Sequence, residues 1–269
     1  KDASGTDIAI DQAGGVAYFD GVVYVVNYAS NYIHRFKADD GTALNGWQTA
    51  LGSPGDIDID DSGNVFVIKK VAAQFAVYDT VGNELTGSPF GTEGWHINRG
   101  ISVTDDGSKV LLADESDGII AVWEGSVTDG TASYTAGTDL MTGLNKPSAC
   151  EIDPDGNVWI SNSGDNEVII SALDGTVSQT ITGVSTPRGA GFDFANSTAY
   201  ITHFTGDVPM VSKIQMITAN DSLFISEVAD PSNEYSARFF ELHNNSSQDI
   251  DFSTGWKINY YANDNTSPS

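Results

Sequence analysis

The strongest constraint on this chain is a repeat. The stretch Ser148 to Ser171, SACEIDPDGNVWISNSGDNEVIIS, divides into three short strand-like runs separated by two tight turns. Ala149 to Asp153 sets Ile152 between polar neighbours. Asp153-Pro154-Asp155-Gly156-Asn157 is a turn, in which Pro154 pre-sets φ and Gly156 supplies the positive φ that closes a hairpin with a bulge. Val158-Trp159-Ile160 is an apolar run of strand length, rich in β-formers. Ser163-Gly164-Asp165-Asn166 is the second turn and Val168-Ile169-Ile170 the third strand. Asp174-Gly175 then turns the chain into a fourth strand, Val177 to Ile181.

The pattern recurs. Gly55 to Ile68, Gly100 to Asp114 and Gly189 to His203 carry the same strand, turn and strand, and Gly15 to Asn27 is the first copy. The turn residues Gly21, Gly63, Gly107, Gly156 and Ser197 fall roughly 40–50 positions apart, the spacing of propeller blades. One four-stranded blade cannot bury its own faces, whereas blades stacked around an axis can. The expected fold is therefore all-β, a β-propeller of four-stranded antiparallel blades, five by count. The fifth has strands at Ala190–Phe194, Thr198–His203 and Val211–Ile217 but no fourth. The N-terminal strand Thr6–Ile10 is expected to supply it and close the ring, since closure pairs exposed edges; a sixth blade upstream is the alternative. Third strands are expected at Tyr32–Lys37, Ala73–Tyr78 and Ile119–Trp123, with an extended Ser/Thr/Gly loop following the last as far as Gly137.

The segments Lys146-Pro147-Ser148-Ala149, Asp153 to Ile160 and Asp165-Asn166-Glu167-Val168 resemble an NHL-type or related six-bladed propeller repeat, a resemblance covering residues 1–218. It implies an architecture rather than a function, because such propellers host binding proteins, hydrolases and lyases alike. After a linker at 219–222 the register changes. The Ile225-Ser226-Glu227 opening, the strand Phe240-Glu241-Leu242-His243-Asn244 and the segment Asp251-Phe252-Ser253-Thr254-Gly255-Trp256 are similar to the first half of a lamin-tail domain. That resemblance implies a partial immunoglobulin-like β-sandwich over 223–269, the kind of module found in bacterial secreted and surface proteins. The chain is accordingly expected to be secreted or on the cell surface, as part of a larger extracellular protein.

Charge narrows the partners. Twelve Lys and Arg face 37 Asp and Glu, for a net charge of −25. Such a chain is a poor ligand for nucleic acid or anionic membranes. No run approaches the roughly 18–20 apolar residues of a membrane span. The acid suits either divalent-cation binding or solubility, and solubility is the preferred reading. Asp58 to Asn64 and Asp153 to Asn157 look superficially like calcium loops, yet they lack the Glu at position twelve and the flanking helices, and Asp and Asn are also ordinary turn residues. Cys150 is the only cysteine, and its inner-strand position suits a small buried apolar residue.

The scarce cations gather in loops at the end of each blade where the innermost strand begins, here called the top. The candidate ligand-binding residues are His96, Arg99, Lys146, Arg188, His203, Asn162 and Asp114. They suit an anion-accepting or catalytic channel mouth; alternatively they neutralise inward carboxylates and backbone carbonyls. Aromatics near the loops, Tyr28, Tyr32, Trp47 and Trp95, suit either sugar stacking or blade packing. Two functions follow. The preferred one is a non-enzymatic binding or scaffold module taking a protein or carbohydrate at its top face. The alternative is a metal-dependent hydrolase or lyase similar to the gluconolactonase-like branch, with a channel cation such as Ca2+ held by Glu151 and Asp114. Against it, the Pro-Asn-Gly opening of that branch is Pro147-Ser148-Ala149 here, without the amide ligand.

Overall fold

The computed structural model describes residues 8, 10–50, 52–70, 72–92, 98–193, 195, 198–205 and 208–215, and two further strands at 223–229 and 239–244. The chain divides into two compact units, Lys1–Ile214 and Gln215–Ser269.

The first unit is a five-bladed β-propeller. Blade 1 holds β1 (Ala13–Phe19), β2 (Val22–Asn27), β3 (Tyr32–Lys37) and β4 (Ala43–Gln48). Blade 2 holds β5 (Pro54–Ile59), β6 (Val65–Lys69), β7 (Ala73–Tyr78) and β8 (Phe90–Thr92). Blade 3 holds β9 (Asn98–Val103), β10 (Lys109–Asp114), β11 (Ile119–Thr128) and β12 (Thr131–Ala136). Blade 4 holds β13 (Pro147–Ile152), β14 (Val158–Asn162), β15 (Glu167–Ser171) and β16 (Val177–Thr182). Blade 5 holds β17 (Pro187–Asp193), β18 (Thr198–Thr205) and β19 (Val208–Gln215). Each blade is an antiparallel meander in chain order. The innermost strands β1, β5, β9, β13 and β17 lie side by side in that sequence.

Period-two alternation explains the stacking, because successive side chains on a strand face opposite sides. On β6, Val65 and Val67 pack toward blade 1 with Tyr24, Val26 and Trp47. Phe66 and Ile68 point the other way, into a core with Ile101, Val110, Leu112 and Tyr134 of blade 3. On β10, Leu111 and Ala113 then meet Cys150, Val158 and Ile160 of blade 4. Trp159 faces blade 5 and meets Phe192 edge-on at 5.3 Å. A strand covered on both faces needs a continuous apolar run, and Val65-Phe66-Val67-Ile68 supplies one. The end blades differ: Val16 and Tyr18 of β1 are 66% and 65% exposed, and Val211 of β19 is 62% exposed.

The turns are built as their residues dictate. Asp153 Oδ1 accepts from the backbone N–H groups of Asp155 (3.0 Å) and Asn157 (2.8 Å), and its Oδ2 accepts from the Trp159 indole at 2.9 Å. Asp60 does the same for Ser62 (3.0 Å) and Asn64 (2.8 Å). One carboxylate of each calcium-like loop, Asp60 and Asp153, is thus engaged by turn donors, and both side chains are buried.

Two expectations need comment. The stretch after Trp123 is not an extended loop: β11 continues to Thr128 and returns as β12 through a two-residue turn at Asp129-Gly130, both at positive φ. Polar Ser and Thr alternate there with buried Ala132 and Tyr134, a period that makes half-buried strand rather than loop. The closing strand expected at Thr6–Ile10 lies outside the described residues apart from Ile8 and Ile10, neither of which is in a strand. In the second unit, β20 (Leu223–Ala229) and β21 (Phe239–Asn244) pair antiparallel; the segment expected at 250–258 lies outside the described residues.

Candidate functional site at the channel mouth

The same local device recurs at the top of every blade. The opening residue of each inner strand pairs with a residue near the end of the second strand: Ala13 with Asn27, Pro54 with Lys69, Asn98 with Asp114, Pro147 with Asn162, and Pro187 with His203. Immediately afterwards each inner strand carries surplus residues relative to its partner. Such bulges break the ladder and re-aim side chains. The bulged residues are Gly14 and Gly15 in blade 1, Gly55 and Asp56 in blade 2, then Arg99, Ser148 and Arg188.

These bulges converge on one cavity of about 290 Å³, to which every blade contributes. Gly14 and Gly55 line one side, where the backbones of blades 1 and 2 approach so closely that a Cβ on Gly14 would meet the Gly55 carbonyl at 2.1 Å. Arg99, Ser148 and Arg188 come from the other three blades, and Lys70, just past β6, joins them. Two larger clefts, about 390 and 560 Å³, lie at the turn-side ends of blades 3 and 4; their linings mix acids such as Asp105, Asp106, Asp139 and Asp174 with apolar residues, and Lys109 borders both. They are grooves between neighbours, whereas the mouth is the point where all five blades meet.

Three cations therefore share one small space. Lys70 Nζ lies 4.4 Å from the centre of the Tyr28 ring. Burial, and then the Arg99 guanidinium, hold its ammonium below the ordinary lysine range, with Glu115 acting in the opposite sense. Arg99 pairs with Glu115. Arg188 sits over the Phe204 ring at 5.8 Å. The side chains around them are tied to the scaffold: Ser148 donates to the Pro187 carbonyl at 2.6 Å, and the buried Asn98 amide donates to the Ala72 carbonyl.

Below the mouth the inner strands carry acid. Asp56 Oδ2 accepts from the Ile101 N–H at 3.1 Å, and Asp58 Oδ2 accepts from the Val103 N–H at 2.8 Å and the Ser102 hydroxyl at 3.2 Å. Ser102 Oγ in turn accepts from the Ile152 N–H at 3.0 Å. Adjacent inner strands are not laddered to each other, so their edge N–H groups need partners, and side chains of the preceding blade provide them. These carboxylates touch the channel space but have protein on every side. Burial accordingly pushes Asp56 up to about 7 and Asp58 up to about 6, against the pull of their backbone donors. Glu151 on β13 is raised too, by burial and then by Asp56 and Asp58. The Cys150 thiol is pushed up by burial and the same three acids, which makes it a packing residue.

Of the residues singled out from sequence, Arg99 and Arg188 meet at the mouth. Lys146 is exposed on its turn at φ 53° and is not part of the cavity wall. Asp114 Oδ1 accepts from the N–H groups of Ser116 (2.9 Å) and Asp117 (3.0 Å), fastening the turn into β11. Asn162 accepts from the Asn145 N–H at 2.8 Å and donates to Glu167 at 2.8 Å. His203 Nε2 lies 2.8 Å from Ser212 Oγ, while its buried Nδ1 has no hydrogen-bond partner. His96 lies outside the described residues. Glu151 and Asp114, the residues suggested for a channel cation, occupy different settings: one faces Asp56 and Asp58, the other caps a turn. Among the described residues, no group of three or more His, Cys, Asp or Glu is arranged to hold a metal ion. Trp47 packs with Tyr24 and Tyr78 in the core between blades 1 and 2. Tyr28 lies beneath Lys70 at the mouth, Tyr32 lies against His34, and Trp95 lies outside the described residues.

Sequence reading missed Lys70, the bulges and the acidic stitches. Asp56-Ile57-Asp58-Ile59 carried a signal: in a strand flanked by blades on both sides, acid alternating with Ile points to one stripe aimed at the axis.

No family model matches the chain, and no curated protein matches it. Solved structures do. The propeller of a nidogen/laminin complex is similar with a TM-score of 0.60 at 17% identity, over 75% of this chain and 76% of that one. The resemblance is one of fold. A streptogramin B lyase gives a TM-score of 0.53 at 13% identity over 80% and 72% of the two chains. A Bacteroides caccae protein of unknown function gives 0.53 at 15% identity over 74% and 73%.

Proposed function

We propose that this chain is a secreted or cell-surface binding module that uses the channel mouth of its propeller to hold a ligand or a partner protein, without catalysis. The observation carrying this reading is the five-fold bulge, which turns one residue position of every inner strand into the wall of a single cavity. A surface assembled from every blade is rigid, and rigidity lowers the cost of binding. The similarity of the fold to that in a nidogen/laminin complex supports a protein as partner class. The NHL-like repeats and the lamin-tail-like segment after the propeller support a place in a larger bacterial extracellular protein, with the latter segment serving attachment or spacing. Of the two carboxylates that the metal-dependent alternative would use, Asp114 fastens a turn while Glu151 faces Asp56 and Asp58, so the pair does not share one setting, which favours the binding reading.

The test is a thermal-shift and NMR screen of sugars, peptides and small acids against the chain and its Ala13→Trp variant. Ala13 is exposed at the rim, so the indole plugs the mouth without disturbing a core. Ligands that bind the parent and not the variant support the reading. Ligands indifferent to the plug, or none at all, sink it.

A further inference from the structure

We infer that the channel mouth is an oxyanion site, built to take carboxylate groups. This rests on the mouth being the binding surface and names the chemistry it selects. Only 12 residues of the chain are Lys or Arg, against 37 Asp and Glu. Three of those cations, Lys70, Arg99 and Arg188, nevertheless border one cavity of about 290 Å³.

Lys70 and Arg99 are part-buried and Arg188 is exposed, and each has a neighbour that orients it. Lys70 lies against the Tyr28 ring, Arg99 is fixed by Glu115, and Arg188 lies against Phe204. The two aromatic contacts orient charge without neutralising it, and Glu115 is the carboxylate whose influence reaches both Arg99 and Lys70. Like charges held together repel, and an incoming oxyanion relieves that repulsion while accepting charge-assisted hydrogen bonds. The cavity has the volume of roughly ten waters at about 30 Å³ each, room for a compact di- or tricarboxylate or for two acidic side chains of a peptide. The overall charge of −25 does not forbid this. At physiological ionic strength the screening length is about 8 Å, so charges on the far turns are damped while those in the wall are not.

The source of the carboxylate, a free small acid or an acidic protein segment, is decided by the probes. Citrate and a hexaglutamate peptide are titrated calorimetrically into the full chain in 0.15 M NaCl at pH 7. The variants are Arg188→Gln and Lys70→Gln, with Lys37→Gln as control; Lys37 is exposed at the end of β3, away from the cavity. Retained melting temperature shows that each variant is folded. The expected result is saturable binding of at least one probe, weakened tenfold or more by Arg188→Gln and by Lys70→Gln and unchanged by Lys37→Gln. Citrate alone assigns a free acid, and the peptide alone an acidic segment. Absence of binding for both probes at 10 mM overturns the inference, as does binding that all three variants weaken equally, since that marks general charge attraction. Neutral ligands blocked by Ala13→Trp would still leave the binding-module reading standing in that event.

Discussion

At the scale of single residues, one chemical type performs several structural tasks. Asp153 shows how. Its two oxygens take the N–H groups of Asp155 and Asn157 and the indole of Trp159, so one buried carboxylate closes the turn and orients the ring that meets Phe192. Removing it leaves several donors unsatisfied in a site that water reaches poorly. Asp153→Ala should cost about 3 kcal/mol, the scale of stranding buried donors of this kind, read as a lower urea midpoint with unchanged slope. Asp153→Asn should recover part of the loss through its remaining carbonyl oxygen. Equal stability of the alanine variant and the parent would mean that the turn is held by Pro154 and Gly156 alone. The same economy explains why an acidic loop in this chain is a weak indicator of calcium: the oxygens that would face an ion already face the backbone.

At the scale of elements, the inner strands pose the main electrostatic problem. β5, β9 and β13 lie side by side without a ladder, and Asp56, Asp58 and Ser102 bridge them. The stitches are made by groups whose charged form is disfavoured by burial. Asp56 and Asp58 titrate at about 7 and about 6, against an unfolded value of about 4. Between those limits the folded state binds more protons than the unfolded one, so stability falls as pH rises from about 4 to about 7. Asp106, held at about 2 by Ser108 and Thr104, acts in the opposite sense, but only below about pH 5, where its unfolded form takes up protons. The melting temperature should therefore be higher at pH 5 than at pH 8 at fixed ionic strength. Asp56→Asn should shrink that difference by removing one titrating group. A full pH slope in the Asn variant would place its origin elsewhere, in Asp58, Glu151 or the general negative charge.

At the scale of the whole molecule, that general charge is the dominant long-range force. A net charge of −25 repels itself, and the ion pairs Arg99–Glu115 and Lys109–Glu124 lie at partly exposed positions where such pairs contribute little. Raising NaCl from 10 to 150 mM shortens the screening length from about 30 Å to about 8 Å. The melting temperature should rise, by about 2–4 °C for each kcal/mol of repulsion relieved in a domain of this size. A flat or falling curve would show that specific ion pairs outweigh the repulsion. The apolar cores between blades, from Tyr24 and Trp47 through Phe66 and Tyr134 to Leu111 and Ile160, hold the unit together against this charge.

The sequence by itself determined the blade. Strand identity, turn position and the alternation that buries Val65 with Val67 on one side and Phe66 with Ile68 on the other are local properties, written in period two and in residues such as Gly63 and Gly156 that accept positive φ. It also indicated Arg99 and Arg188 as top-face cations, because strand order alone places them there. Only the tertiary structure decided the site. Which residue a bulge pushes outward depends on its partner strand, so Ser148 could not be told from its neighbours, and Lys70 reaches the mouth only because the chain turns just past β6. Whether Glu151 meets Asp114 or Asp56 depends on how blades stack, across separations of tens of residues that no local pattern encodes. The β11–β12 hairpin was misread for a related reason: its polar strand residues gain their meaning only from the blade 2 core against which Ala132 and Tyr134 pack.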